Sequence, residues 1–259
     1  YPMNAYMAEH WLYVPSIGFL LIVAHVIIRM TRNNRLLSSA IVACLVIPCV
    51  YLTIRQNAYW KNPITFYERT IKYAYDDAIV YNALGDAYKN KGRWNDALEI
   101  LNLGLKVDPS YAKLYDNIGS VYRSTGRPLQ AIENYKKAIQ LHPDFAEAYY
   151  NLGLAYSDSN NHNLAIASYK RALSIAPTFV EALNNLGVEY SSAGDVGEAM
   201  ELYKRALEIN PNYGESHSNL AVVYYRLNRF KEAIKHCDAA IKLGIKVHPA
   251  LLEHLEAYR

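Results

Sequence analysis

The sequence predicts an all-α chain: two membrane-crossing helices, then a superhelical stack of helix-turn-helix units closed by a capping helix. Two observations carry this. A glycine returns every 34 residues, at Gly85, Gly119, Gly153 and Gly187, with Ala221 in the fifth copy. Two runs near the start, Trp11 to Ile28 and Leu36 to Ile54, hold no Asp, Glu, Lys or Arg over 18 and 19 residues.

Taken in chain order, the membrane region comes first, over residues 1–60. Each uncharged run is long enough, at 1.5 Å per residue, to cross a hydrocarbon core of about 30 Å, which places spans at about 11–29 and 36–54. The lipid bilayer is thus the first expected partner. Between the runs lie Arg29, Arg32 and Arg35, and a basic turn favours the cytoplasmic side. Turn 30–35 is therefore expected in the cytoplasm, and the repeats on the periplasmic or lumenal side. Glu9, His10, Trp11, Tyr13 and Trp60 fall at the outer interface, where amphipathic rings are favoured.

Residues 61–77 read as a degenerate half repeat. Tyr67-Glu68-Arg69-Thr70-Ile71 aligns with Tyr135-Lys136-Lys137-Ala138-Ile139, and Asn62-Pro63 supplies a helix start. Five repeats follow, at 78–111, 112–145, 146–179, 180–213 and 214–247. Besides the glycine they share Tyr88, Tyr122, Tyr156, Tyr190 and Tyr224, then Ala97, Ala131, Ala165, Ala199 and Ala233. Proline closes four copies at Pro109, Pro143, Pro177 and Pro211 and is missing from the fifth. Small residues let helix backbones approach, large ones fill the space beside them, and proline ends the second helix. The tyrosines are therefore packing residues. Residues 248–259, with Pro249, Leu251, Leu252 and Leu255, read as the cap that hides the last apolar face.

A 34-residue period with these residue types resembles the tetratricopeptide repeat. The resemblance implies a right-handed α-solenoid whose first helices line a concave binding face. One slot there holds Asn117, Asn151, Asn185 and Asn219, with Asn82 adjacent to it in the first copy. A side-chain amide matches a peptide bond in its donors and acceptors, so this row predicts binding of extended polypeptide. The alternative for the same row is capping or bridging between helices. A similar asparagine ladder occurs in O-linked N-acetylglucosamine transferases, which the array resembles. Tyr150, Arg123 and Arg226 complete the expected binding set. Glu147 and Glu181 stand where a carboxylate-clamping repeat needs cations, which argues against a chaperone tail as ligand.

Ala8-Glu9-His10-Trp11-Leu12-Tyr13-Val14-Pro15-Ser16-Ile17-Gly18-Phe19, with Arg55 to Trp60 further on, resembles the last membrane helices of transmembrane-and-tetratricopeptide protein O-mannosyltransferases. That resemblance implies a polyprenyl-phosphate-linked sugar donor in a longer protein, and acidic catalytic residues upstream of Tyr1. The family has Arg where His10 stands, so contact with a lipid phosphate there and an ordinary interfacial role both remain open. On this reading the chain is the C-terminal, substrate-recruiting part of such a glycosyltransferase. The rival is a non-enzymatic tethered scaffold for an envelope, secretion or pilus complex.

Charge bears on other partners. The first 77 residues hold seven basic and four acidic residues, and the rest hold twenty of each. A neutral repeat region gives no basic stripe for nucleic acid. No metal-ligand, phosphate-loop or nucleophile motif occurs, so the expectation is no catalytic site, no metal and no cofactor within these residues. Cys44, Cys49 and Cys237 imply no disulfide framework.

Overall fold

A computed structural model describes residues 62–259 throughout, together with some positions between 22 and 54. The chain divides into two compact units, Tyr1–Pro109 and Ser110–Arg259. No strand occurs among the described residues.

The first unit contains α1 (Pro63–Ile71), α2 (Ala78–Asn90) and α3 (Trp94–Val107), packed in chain order. Asn62 caps α1 by accepting from the Ile64 N–H at 3.1 Å, with Pro63 already in the first turn. Asp77 caps α2 in the same way through Ile79 at 2.9 Å. Such caps satisfy amide protons that have no partner inside the helix. The Tyr88 hydroxyl donates to Glu68 Oε1 at 2.6 Å and ties α2 back to α1.

The second unit contains α4 (Ala112–Ser124), α5 (Pro128–Leu141), α6 (Ala146–Asp158), α7 (His162–Ile175), α8 (Val180–Ala193), α9 (Val196–Ile209), α10 (Gly214–Arg226), α11 (Phe230–Lys242) and α12 (Pro249–Glu256). Each packs on the next, and first helices also meet: α4 touches α6, and α8 touches α10. The recurring glycine sets the spacing within each pair. A Cβ on Gly119, Gly153 or Gly187 would stand 2.7, 2.5 or 2.6 Å from the ring of Tyr135, Tyr169 or Tyr203. All three rings are fully buried. In the fifth copy the small residue is Ala221, and the residue in the tyrosine slot shrinks to Cys237, which is also fully buried. The turn slot is as regular. Gly92, Gly126 and Gly194 have φ of +70°, +72° and +93°, and Asn160 and Asn228 take φ of 58° and 57° in the same register. Asparagine tolerates this left-handed region better than other residues with a Cβ. At the C-terminus Leu251 and Leu255 of α12 bury against Leu220, Cys237 and Ala240.

The expected fold class needs correction at its start. No helix among the described residues is long and apolar enough to cross a membrane, which overturns the two-span reading. Helices α1 to α12 have 8 to 14 residues, about 12–21 Å at 1.5 Å per residue, and each sets a polar face opposite an apolar one. The described positions between 22 and 54 are helical but do not make up a span of the required length. Glu9, His10, Trp11, Tyr13 and Trp60 lie outside the described residues, as does turn 30–35.

Candidate functional site

The asparagine row lies on the first helices of the second unit, in the slot two residues before the recurring small residue, next to a polar slot one residue earlier. The amides reach across to the preceding first helix. Asn151 Nδ2 donates to Asp116 Oδ1 at 2.9 Å. Asn185 Nδ2 donates to the Tyr150 hydroxyl at 3.0 Å. Asn219 Nδ2 donates to Asn184 Oδ1 at 2.9 Å. Every bond spans 35 residues, from one repeat to the residue just before the equivalent slot in the previous one. Asn117 and Asn82 also have interaction partners.

Asn184 is the buried end of this system. Its Oδ1 also accepts from Ser216 Oγ at 2.9 Å, and its Nδ2 donates to Asn185 Oδ1 at 3.3 Å. Sequence reasoning missed Asn184 and Ser216. The available signal was the polar run Asp116, Tyr150, Asn184 in the slot preceding the asparagines.

Tyr150 is half-buried, with its ring 4.8 Å from that of Phe179 and 5.9 Å from that of Tyr169. Burial pushes its hydroxyl pKa upward, and the Glu181 carboxylate pushes the same way. Arg123 Nη1 pairs with Asp158 Oδ2 at 3.3 Å, while its buried Nε has no hydrogen-bond partner. Arg226 is exposed at the end of α10. The structure thus links Tyr150, Asn185, Asn184 and Asn219 in one bonded series, while Asn151 bonds Asp116. It sets Asn82 in the other unit.

Two further polar groups escaped the sequence. His162 Nδ1 lies 2.8 Å from Oε2 of buried Glu189, which replaces the small apolar residue of that slot. The Nδ1 atoms of His217 and His236 are 2.9 Å apart, and His217 Nε2 is 3.1 Å from the Pro211 carbonyl. Burial, with His217 beside it, lowers the His236 pKa to about 4. Among the described residues no group of three or more His, Cys, Asp or Glu forms a metal-ligand set.

Family models described as tetratricopeptide repeat match residues 78–111, 146–179, 180–213 and 214–243, and one described as TPR repeat matches 119–159. The chain carries tetratricopeptide repeats. Within this repeat region it is similar to parts of much longer proteins. It is 30% identical to Protein O-mannosyl-transferase Tmtc2 of Drosophila melanogaster over 112 residues, or 41% of this chain. It is 28% identical to Tmtc3 of the same species over 102 residues, or 38% of this chain. It is 27% identical to TMTC3 of Mus musculus over 111 residues, or 42% of this chain. The chain spans 11 to 12% of the length of these relatives.

Among solved structures, MamA is 29% identical with a TM-score of 0.56, covering 62% of this chain and 94% of that one. The pilF structure of Pseudomonas aeruginosa has a TM-score of 0.63 at 22% identity, covering 65% and 77%. YrrB, titled a TPR protein with an unusual peptide-binding site, has 0.56 at 22%, covering 74% and 97%. The last two likenesses show the fold. The chain is a repeat module for protein–protein interaction.

Proposed function

We propose that the first-helix face of the second unit holds extended polypeptide, as the substrate-recruiting part of an O-mannosyltransferase-like glycosyltransferase. The observation that carries the binding reading is the amide row itself. Asn151, Asn185 and Asn219 join first helices of successive repeats into one polar strip. Amide hydrogens spent on the neighbouring helix leave carbonyl oxygens to accept from a peptide backbone, as any amide oxygen has two lone pairs. Val188 stands on the same face, 39% exposed, and offers an apolar contact between polar neighbours.

The similarity of the repeats to those of proteins called protein O-mannosyl-transferases supports the second half of the reading. In such an enzyme the sugar comes from a polyprenyl-phosphate carrier. The repeats then act by raising the local concentration of the acceptor polypeptide, an effect that needs no new contact at the reacting atoms.

The test is peptide affinity measured by fluorescence anisotropy on the full chain, with an unstructured Ser/Thr-rich peptide. Val188→Trp adds bulk on an exposed position of the face. Weaker binding at an unchanged melting temperature supports the reading. Unchanged affinity removes this face as the binding surface.

A further inference from the structure

The slot six residues before the recurring glycine holds Lys113, Glu147, Glu181 and Glu215 along the second unit. The three glutamates are exposed in the first turns of α6, α8 and α10. None of them forms an ion pair among the described residues. Other carboxylates of the unit do: Asp158 pairs with Arg123, Glu189 with His162, Glu201 with Lys204, Glu232 with Arg229, and Asp238 with Arg259.

Charge is also divided between the two sets of helices. First helices α4, α6, α8 and α10 carry six carboxylates against three Lys or Arg. Second helices α5, α7, α9 and α11 carry six carboxylates against nine. The near neutrality of the repeats thus conceals an acidic first-helix side and a basic second-helix side. An exposed charge on the binding side meets the ligand, whatever the net charge of the molecule.

Aromatic rings stand beside the acids. Burial comes first in pushing the Tyr150 and Tyr213 hydroxyls upward; the Glu181 carboxylate comes next at Tyr150, and Glu215 followed by Glu181 at Tyr213. A carboxylate in the neighbourhood of tyrosines suits an ammonium or guanidinium group, which gains from charge and, over a ring, from the quadrupole as well.

The spacing fits an extended ligand. First helices joined by direct side-chain bonds such as Asn185 to Tyr150 pack with axes about 8–10 Å apart. An extended chain advances about 3.3–3.6 Å per residue, so about three residues cover one step.

We propose that this face selects polypeptide carrying Lys or Arg at about every third position, with the cations meeting Glu147, Glu181 and Glu215. The proposal rests on the reading of the face as a site for extended polypeptide.

The test uses the full chain and two labelled peptides of equal length, one repeating Lys-Ser-Ala and one with Gln in place of every Lys. Anisotropy titrations are run at low and at physiological salt. The Lys peptide is expected to bind about tenfold tighter than the Gln peptide at low salt, and the ratio shrinks as salt rises. In E147Q/E181Q/E215Q the ratio collapses toward one, while Gln-peptide affinity and melting temperature hold. Equal binding of both peptides by the native chain overturns the cation preference and leaves the extended-peptide reading standing. Binding of neither peptide overturns both. A Lys preference that survives in the triple variant shows that cations are read elsewhere, and overturns the proposal.

Discussion

At Gly153 the space for a side chain is absent, because the Tyr169 ring already fills it. Gly153→Ala is expected to cost about 2 kcal/mol, the usual range for overpacking a tight core. The fifth repeat shows the compensating pair, Ala221 with Cys237. Gly153→Ala combined with Tyr169→Cys should therefore lose less stability than the sum of the single changes. A double-mutant cycle in urea measures this, and simple additivity would refute the steric account. Asn160 is a milder case. Its φ of 58° makes Asn160→Ala cost about 1 kcal/mol, whereas Asn160→Gly should be nearly neutral. His236 adds a pH dependence. Its pKa is about 4 in the folded chain against about 6.5 when unfolded. The unfolded chain therefore binds the extra proton first as pH falls, and stability drops between about pH 6.5 and 4. Allowing for partial solvent screening, that loss is about 2 kcal/mol. It should be absent in His236→Asn, by denaturant midpoints across that range.

Between elements, the asparagine amides hold first helices of successive repeats together. Asn151→Ala and Asn185→Ala each remove a bond between first helices and should cost about 1 kcal/mol apiece. A lower melting temperature of the double variant checks this. On sequence alone these side chains suit either bridging or peptide contact, and the observed bonds show that bridging occurs. Cations covering the tyrosine slot show a similar exchange between elements. Arg127 and Arg229 lie over Tyr122 and Tyr224 at 4.8 and 4.7 Å. Where that turn position is Asn161 or Asp195, Lys136 and Lys170 from the preceding repeat approach Tyr156 and Tyr190 instead, at 5.8 and 5.3 Å. The slot was legible in the sequence, but the cover of Tyr156 and Tyr190 was not, because there the cation comes from the preceding repeat.

For the molecule as a whole, the repeated tyrosines make alkaline stability a collective property. Burial raises the Tyr135 pKa to about 12 and pushes Tyr169 and Tyr203 up as well. The unfolded chain releases these protons near pH 10, so stability is complete below that and falls as pH rises beyond it. The phenolate absorbance of these three rings, read as the difference from Tyr135→Phe, Tyr169→Phe and Tyr203→Phe variants, should then rise together with loss of helical circular dichroism. Phenolate at these three positions that forms while helicity is intact would contradict the burial of the rings.

The 34-residue period alone determined the helix-turn-helix units, the small-residue crossings and the glycine turns. Each depends on local backbone geometry or on residue volume, both of which a one-dimensional pattern records. Tertiary structure decided the rest. Hydropathy at 11–29 and 36–54 counted apolar residues, but a membrane crossing also needs one continuous helix, and no described helix meets that condition. The partners of Asn151, Asn185, Glu189 and His236 lie 19 to 35 residues away in the chain. They meet only because helix packing brings those faces within hydrogen-bond reach, and no local sequence rule encodes that approach.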